Sequence, residues 1–546
     1  MILEILDGRA TLDGRPLDHA ARNYLVPLGS HEYSLEPDRH LVREDEQYLH
    51  LDAARSTLVI NTSWYGERPL FYHAGSRYFV VSSSFELLLA SVHRQQGTAL
   101  ALDRVGILES MIFDNPLRSR TLFKDVRKIT TGKRLTLDWT TSELSERTVF
   151  VLPFDGGSST AKASALLEEA VGILSGLIPD DLLRDGTVLL PLSGGLDSRL
   201  LACLLKERRV PYEAMTFGPR ESTEPYIAKQ VAKRLGVSIR HLDLKDEYYK
   251  PFGDTVTWRT GGLSNHRHCH LYSCLSANGI SPDYLVHGFL GDVYSGGSQP
   301  GSAARYDMSR DAALGGYLSR HVEKTWLWRH MSTADRDGIV DDLTAILEEN
   351  CLRNLPCHFH EYVHSVDRQF SLIANVFSPV EELTTVVRPF ASRAYAEFFN
   401  SLPHGYRAGR RLYREACSAM FPSVFAIGNQ DQVFNNRFHS GRLESGVSAL
   451  IAMISYASLL CTNGQRVIRN PKGFERHREL LCTTLHDDFV EATAAVSGLL
   501  NMDLRRLCAL HVRNRDELSS QYRVLSLHAL MRQLDAHGID LGGGCT

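Results

Sequence analysis

The run Ser193-Gly194-Gly195-Leu196-Asp197-Ser198-Arg199 brings two glycines, two hydroxyls and a carboxylate together within seven residues. Glycines bare the backbone N–H groups. The apolar stretch Thr187 to Leu192 before the run and the helix-period stretch from Ser198 to about Glu207 after it put those groups at the positive end of a helix dipole. Such a cradle binds anions, and Asp197 can hold the magnesium that neutralises a phosphate chain. A bare Gly-Gly pair reads as a tight turn; the hydroxyls and the aspartate at fixed offsets are what make this run a phosphate loop. It does not end in Gly-Lys-Ser/Thr, so it differs from the Walker A loop.

The elements around the loop follow an alternating pattern. A strand at Thr187 to Leu192 leads into the loop and its helix, a second strand is expected at Tyr212 to Phe217, a helix at Glu224 to Leu235 and a third strand at Ile239 to Leu242. Strand, turn and helix in alternation predict an α/β domain with a parallel sheet. Before it, Thr57 to Ser63, Arg77 to Ser82 and Arg134 to Trp139 read as β runs separated by turn residues, an antiparallel layer ending near Phe150. Gly156 to Thr160 reads as a linker, and a helix is expected over Ala161 to Leu177. From about Met308 the period is mostly helical, no internal repeat is detectable, and Gly542 to Thr546 reads as a frayed tail. The expected division is 1–152, 161–430 and 431–546.

At 546 residues the chain is long enough for two or three cores. Its 60 basic and 64 acidic residues leave a formal charge of -4, which points to no nucleic-acid or membrane partner. Met1 to Arg15 interleaves Glu4, Asp7, Arg9, Asp13 and Arg15 with apolar residues, unlike a signal peptide, and no stretch reaches transmembrane length, so a cytoplasmic location is expected. The ten cysteines show no metal-ligand spacing and read as reduced thiols, and none precedes Cys203.

The Ser193–Arg199 loop resembles that of the enzymes that cleave ATP between its α and β phosphates, a group that includes asparagine, argininosuccinate and GMP synthetases. Val286-His287-Gly288-Phe289-Leu290-Gly291-Asp292, with Tyr294 to Gly297 behind it, looks like the second motif of the asparagine-synthetase-like branch. The resemblance makes Asp292 the second magnesium-binding aspartate, at the end of a strand parallel to the one before Asp197. Gly288 and Gly291 would line the same site. Val386-Val387-Arg388-Pro389-Phe390 looks like the branch's Val-Arg-Val-Pro-Phe stretch with one residue dropped, and Arg410 to Met420 resembles the helix that follows it. Arg388 is read either as catalytic or as an interdomain ion pair. Met215-Thr216-Phe217-Gly218, with Glu224 and Ala228, matches the elements flanking the adenine, so Met215 and Phe217 join the nucleotide-binding candidates. Trp64 to Tyr72, Thr121 to Phe123 and Gly132 to Leu135 look like parts of the branch's glutaminase domain. The resemblance fades beyond about residue 425.

Several departures shape what the resemblance implies. Glutamine-using members carry a cysteine directly after the initiator methionine; here that position is Ile2, so the N-terminal layer is expected to be a degenerate glutaminase-like scaffold. Members resembling β-lactam and lasso-peptide macrolactam synthetases share this departure. The branch's ionisable residue after the first glycine of the second motif is Phe289 here, leaving a base to come from elsewhere. His287 is one candidate. The segment Asn265 to His270 falls where relatives bind the acceptor, and its spacing puts His266 and His270 on one helical face; a solvated helix, a satisfied core histidine and, more weakly, a zinc ligand are the other readings. The branch's late lysine is absent from Ile427 to Gln432, which leaves Lys472 or an arginine such as Arg437 to supply its charge. Arg199 replaces a small hydroxyl residue, and its guanidinium could reach a phosphate or an acidic substrate.

Together these imply an AMP-forming amide ligase that uses ATP and Mg2+, with a small-molecule or peptide carboxylate and an amine as substrates. The amide would form between molecules or within one, as in a lactam or macrolactam. A homodimer or a separate subunit that supplies ammonia are the partner readings, and a nucleotide-binding pseudoenzyme is the rival from another class.

Overall fold

The computed structural model describes residues 1–7, 9–17, 23–27, 47–52, 54–66, 68–97, 99–154, 162–178, 185–218, 223–297, 306–428, 477–506 and 518–542. The expected linker at 156–160, Asn429 to Gln432, Arg437 and Lys472 lie outside these residues, as do Glu67 and positions 543–546.

The N-terminal part is two antiparallel sheets. Its strands are β1 (Ile2–Leu6), β2 (Arg9–Leu12), β3 (Arg15–Pro16), β4 (Asn23–Pro27), β5 (Tyr48–Asp52), β6 (Thr57–Asn61), β7 (Leu70–Ala74), β8 (Tyr78–Ser82), β9 (Arg127–Ile129), β10 (Lys133–Asp138) and β11 (Glu143–Thr148). One sheet has the order β3-β2-β1-β8-β7-β9 and the other β11-β10-β6-β5-β4. Alternate residues of both, among them Leu3, Ile5, Leu58, Ile60, Val81 and Leu135, turn inward and form a closed apolar layer. This is the mainly β layer expected from the sequence, with strand limits within a residue or two of the predicted runs.

The second part is built on five parallel strands: β12 (Val188–Pro191), β13 (Glu213–Phe217), β14 (Ile239–Leu242), β15 (Tyr284–Val286) and β16 (Thr385–Val387), in the order β14-β13-β12-β15-β16. Leu189 pairs with both Glu213 and Leu285, so β12 is central and buried, as its run of apolar residues requires. The chain moves outward in one direction from β12 to β14 and then crosses back to β15. The switch lies between β12 and β15, where an open parallel sheet leaves a crevice at its carboxyl edge. Helices Asp197–Glu207 and Thr223–Leu235 follow their strands as expected.

Later segments tie the two parts together. The helix Leu518–Ala536 is buried along most of its length, and Ser520 donates to the Met111 carbonyl at 2.8 Å. Gly542 is not frayed: its N–H donates to the Leu100 carbonyl at 2.9 Å, beside a bridge between Leu100 and Leu541. A π-helix at Val363–Ala374, which the helical period alone did not reveal, presses Phe370 onto Gly66 of the N-terminal part. Gly66 has φ +66 and a Cβ there would meet the Phe370 ring at 2.3 Å, so both conformation and contact require glycine. Among the described residues no helix is long and apolar enough to cross a membrane, and the seven described cysteines are free thiols.

Candidate active site

Three predicted motifs end at one edge of the parallel sheet. The Ser193–Ser198 loop leaves β12, the Gly288–Asp292 loop leaves β15, and Arg388 leaves β16. Because β12 and β15 are neighbours at the switch, the two loops touch. A Cβ at Gly291 would fall 2.6 Å from the Asp197 carboxyl carbon, so the close approach of the two loops depends on glycine at that position.

The first loop is held by its own hydroxyls. The Ser193 N–H donates to Ser198 Oγ at 3.1 Å, the two Oγ atoms are 3.0 Å apart, and the Gly195 N–H donates to Ser193 Oγ at 3.1 Å. Two of the loop's amides are therefore engaged internally, and the helix that begins at Asp197 has no side-chain N-cap bond. Its first-turn amides remain available to an anion.

Arg199 corrects the expectation of a guanidinium reaching toward phosphate. Its side chain is fully buried beneath the loop, donates to the carbonyls of Gly194, Ile427 and Gly428, and lies 5.6 Å from the Phe425 ring. It braces the loop from behind. Burial pushes this guanidinium down to about 10, so it remains charged at neutral pH.

The cation that does face the loop is Arg410, which the sequence placed at the start of a helix without giving it a role. Its two terminal nitrogens bond the two Asp197 oxygens, one of them at 3.3 Å; its Nε donates to Ser295 Oγ at 2.7 Å, and Nη2 reaches the Gly291 carbonyl at 3.3 Å. The guanidinium sits 4.3 Å from the Tyr413 ring. Burial raises the Asp197 carboxyl above its ordinary value; Arg410 opposes that rise and Asp292 adds to it. Asp292, which follows Gly291 directly, is exposed and close enough for its charge to act on Asp197. Leu290, inside the second loop, has φ +72, a conformation costly for a branched side chain and typical of functional turns.

This chemistry fits a divalent cation. Among the described residues no group of three or more His, Cys, Asp or Glu side chains is arranged as a metal site. Magnesium bound with a nucleotide needs only one or two carboxylates, with phosphate oxygens and water completing its shell. Asp197 and Asp292 are the residues that would hold it. Met215 is wholly buried in β13 and can face a nucleotide only through its backbone, whereas Phe217 is half-buried at the strand end with its ring 5.5 Å from that of His270.

The remaining candidates divide. Arg388 is ion-paired with Glu381, which also faces Arg68 of the N-terminal part at 3.9 Å, and its guanidinium lies 5.0 Å from the Phe377 ring. The Arg388 pair itself lies within the α/β domain, and it is Glu381 that crosses to the N-terminal part through Arg68. His287 packs edge-on against Phe377 at 4.8 Å, and Phe289 meets the same ring at 5.5 Å. Burial, with help from Arg388, holds the His287 imidazole at about 4, which makes it neutral at pH 7 but a weak base.

His266 and His270 do not share a helical face. A 3-10 turn at His266–His268 ends at Cys269 before the helix His270–Ala277 begins, so the spacing rule for one continuous helix does not apply. His266 is a core histidine, buried and bonded to Ser526 Oγ at 2.8 Å and Asp254 at 2.9 Å.

Several histidines set an acid limit on stability. Burial, as the largest cause, lowers His268, His287, His321, His360 and His364 to about 4 each. The unfolded chain binds more protons than the folded one between about pH 6.5 and pH 4, so stability is full above this window and falls as pH drops through it. His358 acts in the opposite sense: Glu361 and Cys357 outweigh burial and raise it to about 9, so its contribution is lost as pH rises through that value. The melting midpoint is expected to fall steadily from pH 6.5 to pH 4.5, and His321→Asn, which removes one stacked partner of His360, should flatten that limb. A midpoint constant over that range would refute this account.

Residues 178–278 match the family model of asparagine synthase. The match takes in the first loop, β12, β13 and β14 and stops before β15. No curated protein matches the chain. The glycine loop at the switch of a five-stranded parallel sheet lies within the matched segment, so this part of the chain is similar to asparagine synthase.

Proposed function

We propose that the protein is an ATP-dependent amide-forming ligase that adenylates a substrate carboxylate. The observation that supports this most is the close approach of the loops that carry Asp197 and Asp292 at the switch between β12 and β15, beside an uncapped helix start. In this reading a carboxylate oxygen attacks the α-phosphorus of ATP and the bond to the β-phosphate breaks, releasing pyrophosphate. An amine then attacks the acyl carbon, AMP leaves with the bonding pair, and the amine gives up a proton. A divalent cation between Asp197 and Asp292 would neutralise the phosphate charge.

The chain's own contribution is positioning and fixed charge. First-turn amides of Asp197–Glu207 face the phosphates, and Ser193 and Ser198 keep the loop closed. The first cysteine, Cys203, is buried in the α/β domain with its thiol pushed up to about 12, which suits packing and not amide hydrolysis. The amine therefore belongs to a substrate or comes from another subunit. One observation favours a second reading, a nucleotide-binding module without catalysis: Phe289 and His287 are packed around Phe377, so neither offers an effective base beside the second loop.

Full-length protein supplied with ATP, magnesium and pooled carboxylic acids, peptides and amines is expected to release pyrophosphate and AMP in equal amounts. Asp292→Ala should slow this by about 10- to 100-fold. Formation of ADP and phosphate would overturn the adenylation chemistry, and tight nucleotide binding with no pyrophosphate from any pool would favour the second reading.

A further inference from the structure

Arg410 is placed with unusual economy. Its backbone and that of Gly409 are both left-handed, at φ +60 and φ +61, just before the helix Arg411–Met420. A non-glycine residue held in this conformation is a local strain that the surroundings must enforce. Its polar partners belong to the two loops of the candidate site: Asp197 in the first, Gly291 and Ser295 in and after the second. Tyr413 supports the guanidinium face.

This guanidinium occupies both oxygens of the carboxylate that a divalent cation would use. Two cations cannot share those oxygens without strong repulsion, since both would lie within a few ångströms in a largely dry volume. The Asp197 and Arg410 side chains are only 16% and 14% exposed. Yet the second loop does not depend on Arg410 for its shape. The Gly291 carbonyl also accepts from Tyr395 Oη at 2.5 Å and from Ser295 Oγ at 2.6 Å, so its bonding survives if the guanidinium turns away.

We propose that Arg410 is an internal cation that closes the Asp197 site to a bare divalent ion and passes to the phosphate chain when metal and nucleotide enter together. This rests on the reading given under Proposed function and deepens it. A planar fork that bonds two carboxylate oxygens bonds two phosphate oxygens with the same geometry. A triphosphate brings the negative charge that makes the exchange favourable, whereas a bare ion brings only competition. Arg410 then faces the departing pyrophosphate, which accounts for a positive charge at this site from a residue already built into it.

Full-length protein titrated with Mn2+ and followed by the electron paramagnetic resonance of the free ion tests this without any turnover. Wild type is expected to bind Mn2+ weakly alone and far more tightly with α,β-methylene-ATP. Arg410→Met should tighten nucleotide-free Mn2+ binding by about tenfold, because the competing state is removed, and should weaken binding of the analogue. Arg410→Lys, which keeps the charge but cannot span both oxygens, should fall between. Folding of each variant is checked by circular dichroism; if Arg410→Met does not fold, Arg410→Lys decides, with an expected tightening of about threefold. Nucleotide-free Mn2+ affinity unchanged in a folded variant would overturn the inference. Failure of wild type to bind the analogue at all would instead sink the ligase reading itself.

Discussion

Replacing Asp197 by asparagine is expected to cut pyrophosphate release by at least about a hundredfold while leaving the protein folded. The amide keeps the shape of the carboxylate at a position where Gly291 leaves no slack, so packing is preserved. What is lost is charge. Arg410 then has no carboxylate to bond in both directions, and the Asp197/Asp292 pair becomes a single exposed aspartate that holds a divalent ion poorly. The pair of measurements is turnover with ATP and the pooled substrates, and the melting midpoint with and without nucleotide. A variant that turns over within threefold of wild type would remove Asp197 from the site. A variant that loses activity only by unfolding would show as a collapsed midpoint.

The second large effect concerns stability and lies away from the loops. Asp114, at φ +67 after the helix Arg104–Phe113, accepts from Asn265 Nδ2 at 2.8 Å, Arg523 Nε at 3.0 Å, Arg267 Nη1 at 3.3 Å and His268 Nε2 at 3.4 Å. Although burial opposes its charge, Arg523, His268 and Arg267 hold the carboxyl well below the usual range. Arg523 in turn donates to the carbonyls of Gly262, Leu263 and Asp114 itself. One buried carboxylate therefore joins the N-terminal part, the α/β domain and the late helix Leu518–Ala536.

Removing one partner of a buried charge network leaves the other charges without a counter-ion, which costs about 3–5 kcal/mol. Asp114→Ala is expected to lose that much, read as an earlier urea transition. The double variant Asp114→Ala/Arg523→Met should lose much less than the two single losses added together, since the second change removes a charge already stranded. Additive losses would show that the residues act independently.

These results bear on what a reader of the chain alone can see. The glycine loop, the strands around it and the antiparallel N-terminal layer were legible because each rests on local rules: alternation for half-buried strands, apolar runs for central ones, a glycine pair between strand and helix for a tight turn. The second loop was legible only through resemblance, and β15, three residues long, carries too short a pattern to announce itself. His266 and His270 were misassigned to one helix because the spacing rule presumes an unbroken helix, and the break at Cys269 has no proline or glycine to mark it. Arg199 was expected to reach outward, and no role was expected of Arg410, for a similar reason. Both are arginines beside the loop, one by sequence and one by folding, and the first is turned beneath the loop by the carbonyls of Gly194, Ile427 and Gly428.

The sequence by itself determined the local conformations and the residue types available for chemistry: a glycine loop, an aspartate at its end and an aspartate after a later strand. Tertiary structure alone decided which charges meet. Arg410 reaches Asp197 across 213 residues, and Arg523 reaches Asp114 across 409, separations over which no periodicity or spacing carries information. Side-chain pairing over such distances is set by the strand order and by how the helices cover the sheet. That is a property of packing, in which each buried charge settles against whatever partner the completed fold brings within reach.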